Sequence, residues 1–394
     1  MIGFDEAAAL LATLARTLGS EEVALAEAAG RVLAAPVVAG IDSPRADVSA
    51  MDGYAVREAE VAAGAALPIV GKSYPGAPFD GELAPGSCVR LFTGAALPAG
   101  ADRVVIQEEV DEADGVARFR GVPAGPRFVR PRGSDFRAGE TLLEVGQRLT
   151  PGALMAAGGG DAGSVTVWRR PRVGLLVTGD ELVAPGEAAA TVAAVPDSVS
   201  AALAALVETW GGTVGRVERL GDDLDASVGI AGALLDASDV LVISGGASVG
   251  EKDFAKAIFA ALGGELLFSK VAMKPGKPVW AGPARGKSVL GLPGNPTSAL
   301  VTARLFLAPL LCGLGGRAFG EALRFGERAL AAELAPVGDR ETFLRGFDGD
   351  GSVALADHQD SNGQRTPASA DLLVRVAAGT GALAAGTRVA VLPL

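Results

Sequence analysis

The sequence predicts a multidomain protein of α/β plus β class, built around a doubly wound, mainly parallel α/β domain. From residue 172 onward, apolar runs of strand length alternate with helical patterns, which is typical of parallel sheets covered by helices. Residues 37–57 are interpreted as an irregular segment. Short strand-like runs separated by turns, such as LPIVGKS, SCVRLFTG, DRVVIQEEV and GVARFRGV, characterise residues 46–138, and similar runs return after about residue 315. A chain of 394 residues has room for several domains of ordinary size.

The chain divides into four predicted domains. The Ala/Leu-rich N-terminus predicts a helix capped by Asp5 and ended at Gly19. The predicted domains are an N-terminal helical and extended linking domain, a β-rich insert, an α/β domain and a C-terminal β-barrel-like domain. Their bounds are 1–45 with 139–170, 46–138, 171–313 and 314–394.

The α/β domain is the clearest of the four. Its predicted strands are RVGLLVTG, TVGRVERLG, DVLVISGG, LLFSKVAMK and SVLGLPG. The helices predicted between and after them are SVSAALAALVETWGG, DLDASVGIAGALLDAS, DFAKAIFAALGG and PTSALVTARLFLAPLL. Ligands of such sheets bind at the carboxyl ends of the strands. The segments expected there are TGDE, SGGASVG, KPGKP and LPGNP.

Composition excludes several classes of protein. A net charge of −11 argues against a nucleic-acid binder, so an anionic ligand needs a local cationic cluster. Two distant cysteines and one histidine rule out a disulfide scaffold and a His/Cys zinc site. The apolar stretch from Ser298 to Gly313 is too short for a membrane span and contains Arg304. The acidic N-terminus is unlike a signal peptide, and we expect a cytoplasmic protein.

Two glycine patterns are not nucleotide fingerprints. Gly158, Gly160 and Gly163 match GxGxxG, but a predicted helix precedes them and a strand follows, the reverse of the dinucleotide-binding order. The segment 282–288, GPARGKS, has three residues between its glycines where a P-loop has four, and it precedes a strand.

A third glycine segment is a better candidate for anion binding. It follows a buried strand and opens a helix near Asp253, so that backbone N–H groups can approach an anion. A tight turn with Asp253 as helix cap is the equal alternative, and Asp253 is either a cap or a metal ligand. The candidate binding residues are Ser244, Gly245, Gly246 and Ser248.

Three lysines form a second candidate. Lys270 and Lys274 have the same parity on the predicted strand and are expected to face one way, while Lys277 follows in a Pro-Gly turn. Three cations beside a glycine loop suit a phosphate or another oxyanion. A solvated charged edge is the alternative.

Carboxylates in turns form a third group. Oxygen ligands suit Mg²⁺ bound together with phosphates, although single carboxylates in turns are more often caps. The members are Asp52, Asp135, Glu181 and the pair Asp222–Asp223.

Eight strings taken in order resemble the molybdopterin molybdenumtransferase family, which includes the gephyrin E domain. They cover nearly the whole chain: SAMDGYAV, LFTGAALPAGAD, RPRGSDFRAGE, VTGDEL, ISGGASVGEKD, KVAMKPGKP, GLPGNPTSA and FLRG. The resemblance implies that the α/β domain, residues 171–313, is of the molybdopterin-binding type, and it implies a homodimer whose cleft lies between the α/β domain of one subunit and the insert of its partner. It also implies insertion of molybdate into adenylylated molybdopterin with Mg²⁺ present and release of AMP, the last step of molybdenum cofactor synthesis.

The resemblance also implies roles for individual residues. Catalytic roles fall on Asp52, Glu181 and Asp135, with Asp52 and Glu181 both open as general base. Metal binding falls on Asp223 and Asp253. Substrate binding falls on Thr93, Ser244, Gly245, Gly246, Ser248, Lys270, Lys274, Lys277, Pro293, Asn295, Pro296, Arg345 and Ser361.

Two departures and two alternatives accompany the resemblance. The segment Val195-Pro196-Asp197-Ser198 stands where many relatives have Tyr-Asp-Ser-Asn, so the aromatic residue is missing while Asp197 and Ser198 keep a helix cap. The segment after Gln359 is unusually polar. Adenylylation of the pterin is the alternative reaction, and a receptor-binding scaffold is the alternative class. The expected partners are the small-molecule pterin and molybdate (tungstate being nearly equal in size), the molybdopterin adenylyltransferase and acceptor molybdoenzymes, with no nucleic acid and no membrane.

Overall fold

A computed structural model describes residues 1–221, 223–245 and 254–394. The chain forms two compact units. The first unit consists of Met1–Glu21, Gly30–Ala34 and Val167–Leu394, and the second of Glu22–Ala29 and Ala35–Thr166. The chain passes between the units four times, and two of these passages lie within strands, Ser20–Ala24 and Ser164–Trp168. The finer division into four domains stays a prediction.

The first unit contains the predicted doubly wound sheet. The four neighbouring strands Thr213–Leu220, Arg172–Thr178, Val240–Ser244 and Lys287–Leu292 are parallel. Two antiparallel strands, Trp280–Ala284 and Phe268–Ser269, complete that sheet. A small parallel pair, Leu182–Val183 with Val195–Pro196, lies outside it.

Alternating side chains of the sheet enter two separate cores. Leu175 and Val242 pack with helix Val199–Thr209, whereas Leu176 and Leu241 pack with the helices on the other face. Because successive strand residues point to opposite faces, a strand covered on both sides becomes continuously apolar. The other helical elements of the first unit, apart from the N-terminal helix, are Leu224–Asp236, Phe254–Ala261, the short 3₁₀ segments Ala188–Ala190 and Phe319–Leu323, and the run Pro296–Thr302, Ala303–Leu307 and Ala308–Leu314.

The helical run Pro296–Leu314 crosses the core as one helix of 19 residues with a mean hydropathy of 1.6. It is longer than the stretch from Ser298 to Gly313, which the sequence analysis judged too short for a membrane span. By length and composition alone the helix could cross a membrane. However, 94% of its most apolar window is buried within the fold. Arg304 lies inside it and donates to the carbonyls of Pro393 (2.7 Å) and Ala322 (2.8 Å). The helix therefore serves as a core element.

The C-terminal part of the first unit closes into a small barrel. Strand Glu341–Gly349 pairs on one side with Ser352–Leu355 and on the other with Leu372–Val376. Strands Gly326–Leu330 and Arg388–Pro393 connect those two neighbours and complete the ring. Full closure leaves no unpaired edge among these five strands, and it agrees with the predicted barrel.

The second unit contains the β-rich insert. Its six-stranded sheet has the order Arg103–Ile106, Gly53–Val56, Cys88–Leu91, Ala66–Ser73, Val116–Phe119 and Val110–Ala113. Strand Gly53–Val56 was not predicted, because the segment around it was interpreted as irregular. The remaining elements are Val37–Val38 paired with Thr141–Leu143, Val48–Ser49 paired with Val129–Arg130, helix Pro151–Gly159, and the 3₁₀ turns Leu25–Glu27, Glu58–Glu60 and Gln107–Glu109.

The N-terminal helix is shorter than predicted. It spans Phe4–Ala12, and Gly3 is its N-cap without a side-chain bond. Asp5 is therefore not the cap; its carboxylate pairs with Arg375 at 2.7 Å. Phe4 packs edge-on against Phe306 and Phe343, so tertiary contacts anchor a helix that has no capping side chain.

Both rejected glycine patterns are structural connections. Helix Pro151–Gly159 leads into strand Ser164–Trp168, as predicted for the GxGxxG match. The GPARGKS segment forms a hairpin between Trp280–Ala284 and Lys287–Leu292, with positive φ at Arg285 and Gly286. The first strand of this hairpin was not predicted.

Candidate functional site

In the second unit, the structure brings Asp52 and Thr93 together. One carboxylate oxygen, Oδ1 of Asp52, accepts hydrogen bonds from the amide N–H and the hydroxyl of Thr93, both at 2.8 Å. These bonds lower the pKa of the Asp52 carboxyl, the amide bond contributing most and the charge of Arg90 adding to it. The other oxygen, Oδ2, accepts no hydrogen bond from a described residue. Asp52 is thus an ionised carboxylate with one oxygen available.

Strand pairing explains this contact. Asp52 precedes strand Gly53–Val56 and Thr93 follows strand Cys88–Leu91, and the two strands are antiparallel with Gly53 opposite Leu91. A Cβ atom at Gly53 would overlap the carbonyl of Val105 in the neighbouring strand. Glycine is therefore required for the central strand to lie this close.

Asp135 lies on a neighbouring segment of the same unit. Its amide donates to the carbonyl of Ser43 (2.9 Å), and Asp42 accepts from both Ala138 and Arg132. The Asp135 side chain is exposed, and the described residues offer it no hydrogen bond or ion pair. The structure fixes the backbone of Asp135 without joining its carboxylate to Asp52.

In the first unit, the parallel strands end at one edge of the sheet, as predicted. Thr178 lies opposite Leu220, and Ser244 lies opposite Leu292. Glu181 follows strand Arg172–Thr178, and Asp223 follows strand Thr213–Leu220. Gly245 follows strand Val240–Ser244, and Pro293 follows strand Lys287–Leu292. The exposed Glu181 is held by its backbone carbonyl, which accepts from Val195 at 2.7 Å.

The backbones at this edge approach closely. Gly245 has φ +98°, and a Cβ atom there would overlap the carbonyl oxygen of Thr178. A Cβ at Gly294 would lie 3.3 Å from the Cα of Gly245. Ser244 donates to the carbonyl of Pro293 (3.3 Å). The hydroxyl of Thr178 is buried and has no partner among the described residues. Sequence analysis did not single out Thr178. The available signal was its position as the first residue of TGDE, at the end of a predicted strand.

The predicted metal ligands are only partly visible. Asp223 is the N-cap of helix Leu224–Asp236, and its carboxylate accepts from the amide of Ala226 at 3.1 Å. Asp253, Gly246 and Ser248 lie outside the described residues, as does Asp222. Within the described ranges, no three His, Cys, Asp or Glu side chains cluster as metal ligands.

The predicted lysine arrangement is wrong in one respect. Phe268–Ser269 and Met273–Lys274 are separate short strands in different sheets. Lys270 between them has φ +75°, so the extended run breaks there and parity no longer sets where Lys270 and Lys274 point.

The lysine segment closes on itself instead. The amide of Lys270 donates to Val279 (3.1 Å), and that of Val271 donates to the carbonyl of Lys277 (3.0 Å). Lys270, Lys274 and Lys277 are all exposed, and none pairs with a carboxylate in the part of the chain that the structure describes. Cations without counterions suit an anionic ligand.

Asn295 and Ser361 are brought together by the tertiary fold. The amide nitrogen of Asn295 donates to the hydroxyl of Ser361 at 3.2 Å, and the amide of Ser298 donates to the Ser361 carbonyl at 3.3 Å. Asn295 is the N-cap of the helix that begins at Pro296, without a side-chain cap bond. The polar segment after Gln359 thus covers the start of the core helix.

Arg345 lies under the same segment. It is 1% exposed, and its guanidinium donates to the carbonyl of Asp360 at 3.3 Å. Burial lowers the pKa of Arg345, with the Asp360 charge opposing the change. Its Nε atom has no partner among the described residues. Gln359, which sequence analysis did not single out, holds the Arg345 backbone through two hydrogen bonds (2.8 and 3.0 Å).

Comparison with known proteins gives two family matches. Residues 2–159 match the family model described as "MoeA N-terminal region (domain I and II)", and residues 174–312 match the one described as "Probable molybdopterin binding domain". The molybdopterin molybdenumtransferase of Haemophilus influenzae is 36% identical over 80% of this chain and 78% of its own length. The enzyme of that name from Nostoc sp. is 36% identical over 83% and 77%.

Solved structures agree with these matches. A crystal structure of a molybdopterin biosynthesis MoeA protein from Pyrococcus horikoshii has a TM-score of 0.84 and 28% identity, and it covers 100% of this chain and 99% of that one. The fold and the two matched regions define a multidomain protein of molybdenum cofactor biosynthesis. The chain belongs to the molybdopterin molybdenumtransferase family, and its class is that of the transferases.

Proposed function

We propose that this chain inserts molybdate into adenylylated molybdopterin and releases AMP, the final step of molybdenum cofactor synthesis. Family membership supports the reaction. The observation that carries it in this chain is the sheet edge where Gly245 approaches Thr178 and Gly294. Its glycine backbone is suited to phosphate, and unpaired lysines lie in the same unit.

The chain's own residues have separate tasks in this proposal. Lys270, Lys274 and Lys277 attract the phosphates and the molybdate oxyanion. The buried Arg345 and the Asn295–Ser361 pair fix the polar segment beside the start of the core helix. Ionised Asp52 orients the attacking group or accepts a proton, with Glu181 as the other candidate for the base. Positioning and cationic stabilisation are the main contributions expected for chemistry at phosphate.

Magnesium fits the available donors. Mg²⁺ commonly uses one or two carboxylates together with substrate phosphates, so it needs no cluster of three protein ligands. Asp52 has an oxygen without a partner, and Asp223 uses only Oδ1 in its cap bond. We propose Asp223 and Asp253 as its ligands. When bound, Mg²⁺ would neutralise charge on the phosphoanhydride.

We further propose a cytoplasmic homodimer in which Asp52, Thr93 and Asp135 of one subunit serve the α/β domain of the partner. Mixing Asp52→Asn with Lys274→Gln tests this arrangement. In a shared-site dimer, one site of each mixed dimer is intact, so a re-equilibrated equal mixture, assayed at substrate concentrations far below the KM of Lys274→Gln, recovers about a quarter of wild-type activity. A site confined to one subunit gives no recovery on mixing.

The reaction itself is tested by AMP release. Purified protein is incubated with adenylylated molybdopterin, Mg²⁺ and molybdate, and AMP is followed by chromatography. Molybdate-dependent release by the wild type and its loss in Asp52→Asn are expected. Asp111→Asn, which alters an exposed ion pair in the same insert, is the matched control. Synthesis of the adenylylated pterin from ATP, with no molybdate-dependent release, would overturn the proposal in favour of the adenylyltransferase reaction.

A further inference from the structure

A stacked aromatic pair lies beside Asp52 and Thr93 in the insert. The rings of Tyr74 and Phe92 are nearly parallel, with centroids 4.6 Å apart and an interplanar angle of 9°. Phe92 immediately precedes Thr93, and Tyr74 is 43% exposed. The chain has two tyrosines; Tyr54 is buried, whereas Tyr74 is exposed and stacks on the residue that precedes Thr93.

The backbone holds this pair in place. The carbonyl of the buried Ser73 accepts from the amide of Phe92 (3.3 Å), and the Ser73 hydroxyl donates to the carbonyl of Ala96 (3.0 Å). Tyr74 and Ala77 exchange two backbone hydrogen bonds (2.9 and 3.0 Å) and so close a tight turn. A ring mounted on a closed turn keeps its orientation and loses little entropy when a ligand binds.

The tip of that turn reaches the Thr93 segment. Pro75 and Gly76 are its central residues, with Gly76 at φ +79°. A Cβ atom added to Gly94 would lie 3.6 Å from Cγ of Pro75. The Tyr74 turn is therefore in van der Waals range of the residue that follows Thr93.

Arg90 places a positive charge beside Phe92, one ring of the aromatic pair. Its guanidinium lies 5.1 Å from the ring centroid of Phe92 and 4.9 Å from that of Tyr54. The guanidinium donates to the carbonyl of Gly53 (3.0 Å) and to Gln107 (2.6 Å), and no carboxylate of a described residue forms an ion pair with it. A flat aromatic surface next to a cation suits a planar ring that carries phosphate.

We infer that the outer face of Tyr74, stacked on Phe92, binds the planar heteroaromatic ring of the substrate and so positions the reacting end at Asp52 and Thr93. The inference rests on the proposed function. Adenylylated molybdopterin offers two such rings, the adenine and the pterin, which share the chemistry that stacking recognises. A tyrosine that merely shields Phe92 from water would bind neither.

Two substitutions separate these readings. Tyr74→Leu removes the aromatic face, whereas Tyr74→Phe keeps it. Binding of two probes, AMP and 6-hydroxymethylpterin, is measured by calorimetry, with quenching of pterin fluorescence as a second readout for the pterin. Tyr74→Leu is expected to weaken binding of one probe by about 5- to 150-fold, the range of base–aromatic stacking. Tyr74→Phe should stay within about twofold of wild type.

The probe that responds identifies the ring: loss of AMP binding assigns the adenine, and loss of pterin binding assigns the pterin. Three results would overturn the inference. They are unchanged binding of both probes by Tyr74→Leu, equal losses in the Leu and Phe variants, and a wild type that binds neither probe at millimolar concentration.

Kinetics with the full substrate distinguish this inference from the proposed function. Tyr74→Leu should raise KM for adenylylated molybdopterin by a factor similar to its binding loss while changing kcat little. Val70→Ala, at an exposed position of the strand that leads to Tyr74, should change neither. If the wild type fails to release AMP with molybdate, the proposed function fails, while the two binding measurements still decide the role of Tyr74.

Discussion

Thr93 donates twice to one oxygen of Asp52, through its amide and through its hydroxyl, each at 2.8 Å. Hydrogen bonds to a carboxylate favour its charged form and lower its pKa. The amide contributes more than the hydroxyl, so the backbone of the insert, and not only the threonine side chain, keeps Asp52 ionised.

Thr93→Val tests that distribution. It removes the hydroxyl bond and retains the amide bond, so the pKa of Asp52 should rise by only part of its present displacement. The measurement is an NMR titration of the Asp52 carboxyl carbon. Asp111, whose pKa is lowered mainly by its hydrogen bond with Arg120, should titrate identically in both proteins. A return of Asp52 to its ordinary pKa would mean that the hydroxyl dominates.

Lys274→Gln should weaken substrate binding. Its ammonium has no counterion among the described residues, and a hydrogen bond to a charged group contributes about 1.5–3 kcal/mol, or roughly 10- to 150-fold in KM. Steady-state AMP release measured at two salt concentrations checks this, because the variant should also lose part of the salt dependence. Lys72→Gln, at an exposed position in the insert, is the control. Equal KM values for Lys274→Gln and wild type would remove Lys274 from the site.

Gly245→Ala should disrupt the sheet edge. The new Cβ would meet the Thr178 carbonyl, and φ of +98° is unfavourable for alanine. Gly263 also has positive φ (+75°) but has no atom within 4 Å of such a Cβ. Gly263→Ala should therefore cost only about 1 kcal/mol of the free energy of unfolding.

Gly245→Ala should lower the free energy of unfolding by about 2 kcal/mol or more beyond the loss in Gly263→Ala, because overpacking adds to the backbone strain. Urea denaturation of both variants gives the comparison. If the two lose the same stability, the close approach of Gly245 to Thr178 is not a packing constraint.

Ser361→Ala separates binding from folding. The Asn295–Ser361 bond of 3.2 Å joins exposed or half-exposed groups, so its removal should change the free energy of unfolding by about 0.5 kcal/mol or less. If the hydroxyl contacts substrate, KM should still rise, by roughly 5-fold or more for a neutral hydrogen bond. Ser369→Ala, which removes an exposed bond to Thr366 at 3.4 Å, should leave KM unchanged. An unchanged KM for Ser361→Ala would leave Ser361 a purely structural residue.

Asp197→Asn should make stability depend differently on pH. Burial raises the pKa of Asp197, but hydrogen bonds from Ser200, Arg219 and the Val199 amide outweigh it, so the pKa in the folded protein lies below the ordinary aspartate value of 3.8. A lowered folded pKa contributes stability that is present above pH 3.8 and is lost as the pH falls through the folded pKa.

At neutral pH, Asp197→Asn should therefore lower the free energy of unfolding by about 1–3 kcal/mol, since a charged acceptor of several hydrogen bonds becomes neutral. The difference between wild type and variant should shrink below pH 3.8. Urea midpoints measured from pH 7 down to pH 3 check this, with Asp236→Asn, an exposed partner of Arg285, as control. A difference that is independent of pH would rule out the charge as its source.

The sequence by itself determined the fold class and the alternation of strands and helices in the α/β domain. Apolar strands in alternation with helices predicted the doubly wound sheet, because a strand covered on both faces becomes continuously apolar. The glycine segment after strand Val240–Ser244 predicted either a tight turn or a backbone open to an anion, and Gly245 has a positive φ that favours glycine. The eight ordered strings indicated the family to which the chain belongs.

Only the tertiary structure decided which distant residues meet. Asn295 and Ser361 are 66 positions apart and are joined by packing of the barrel segment on the core helix. The break at Lys270 arises because its two flanking strands pair in different sheets, which no local pattern specifies. Strand Gly53–Val56 was missed for a similar reason: its four buried residues gain their stability from two neighbouring strands. Periodicity reports which face of an element is buried, but long-range pairing selects the surface that buries it.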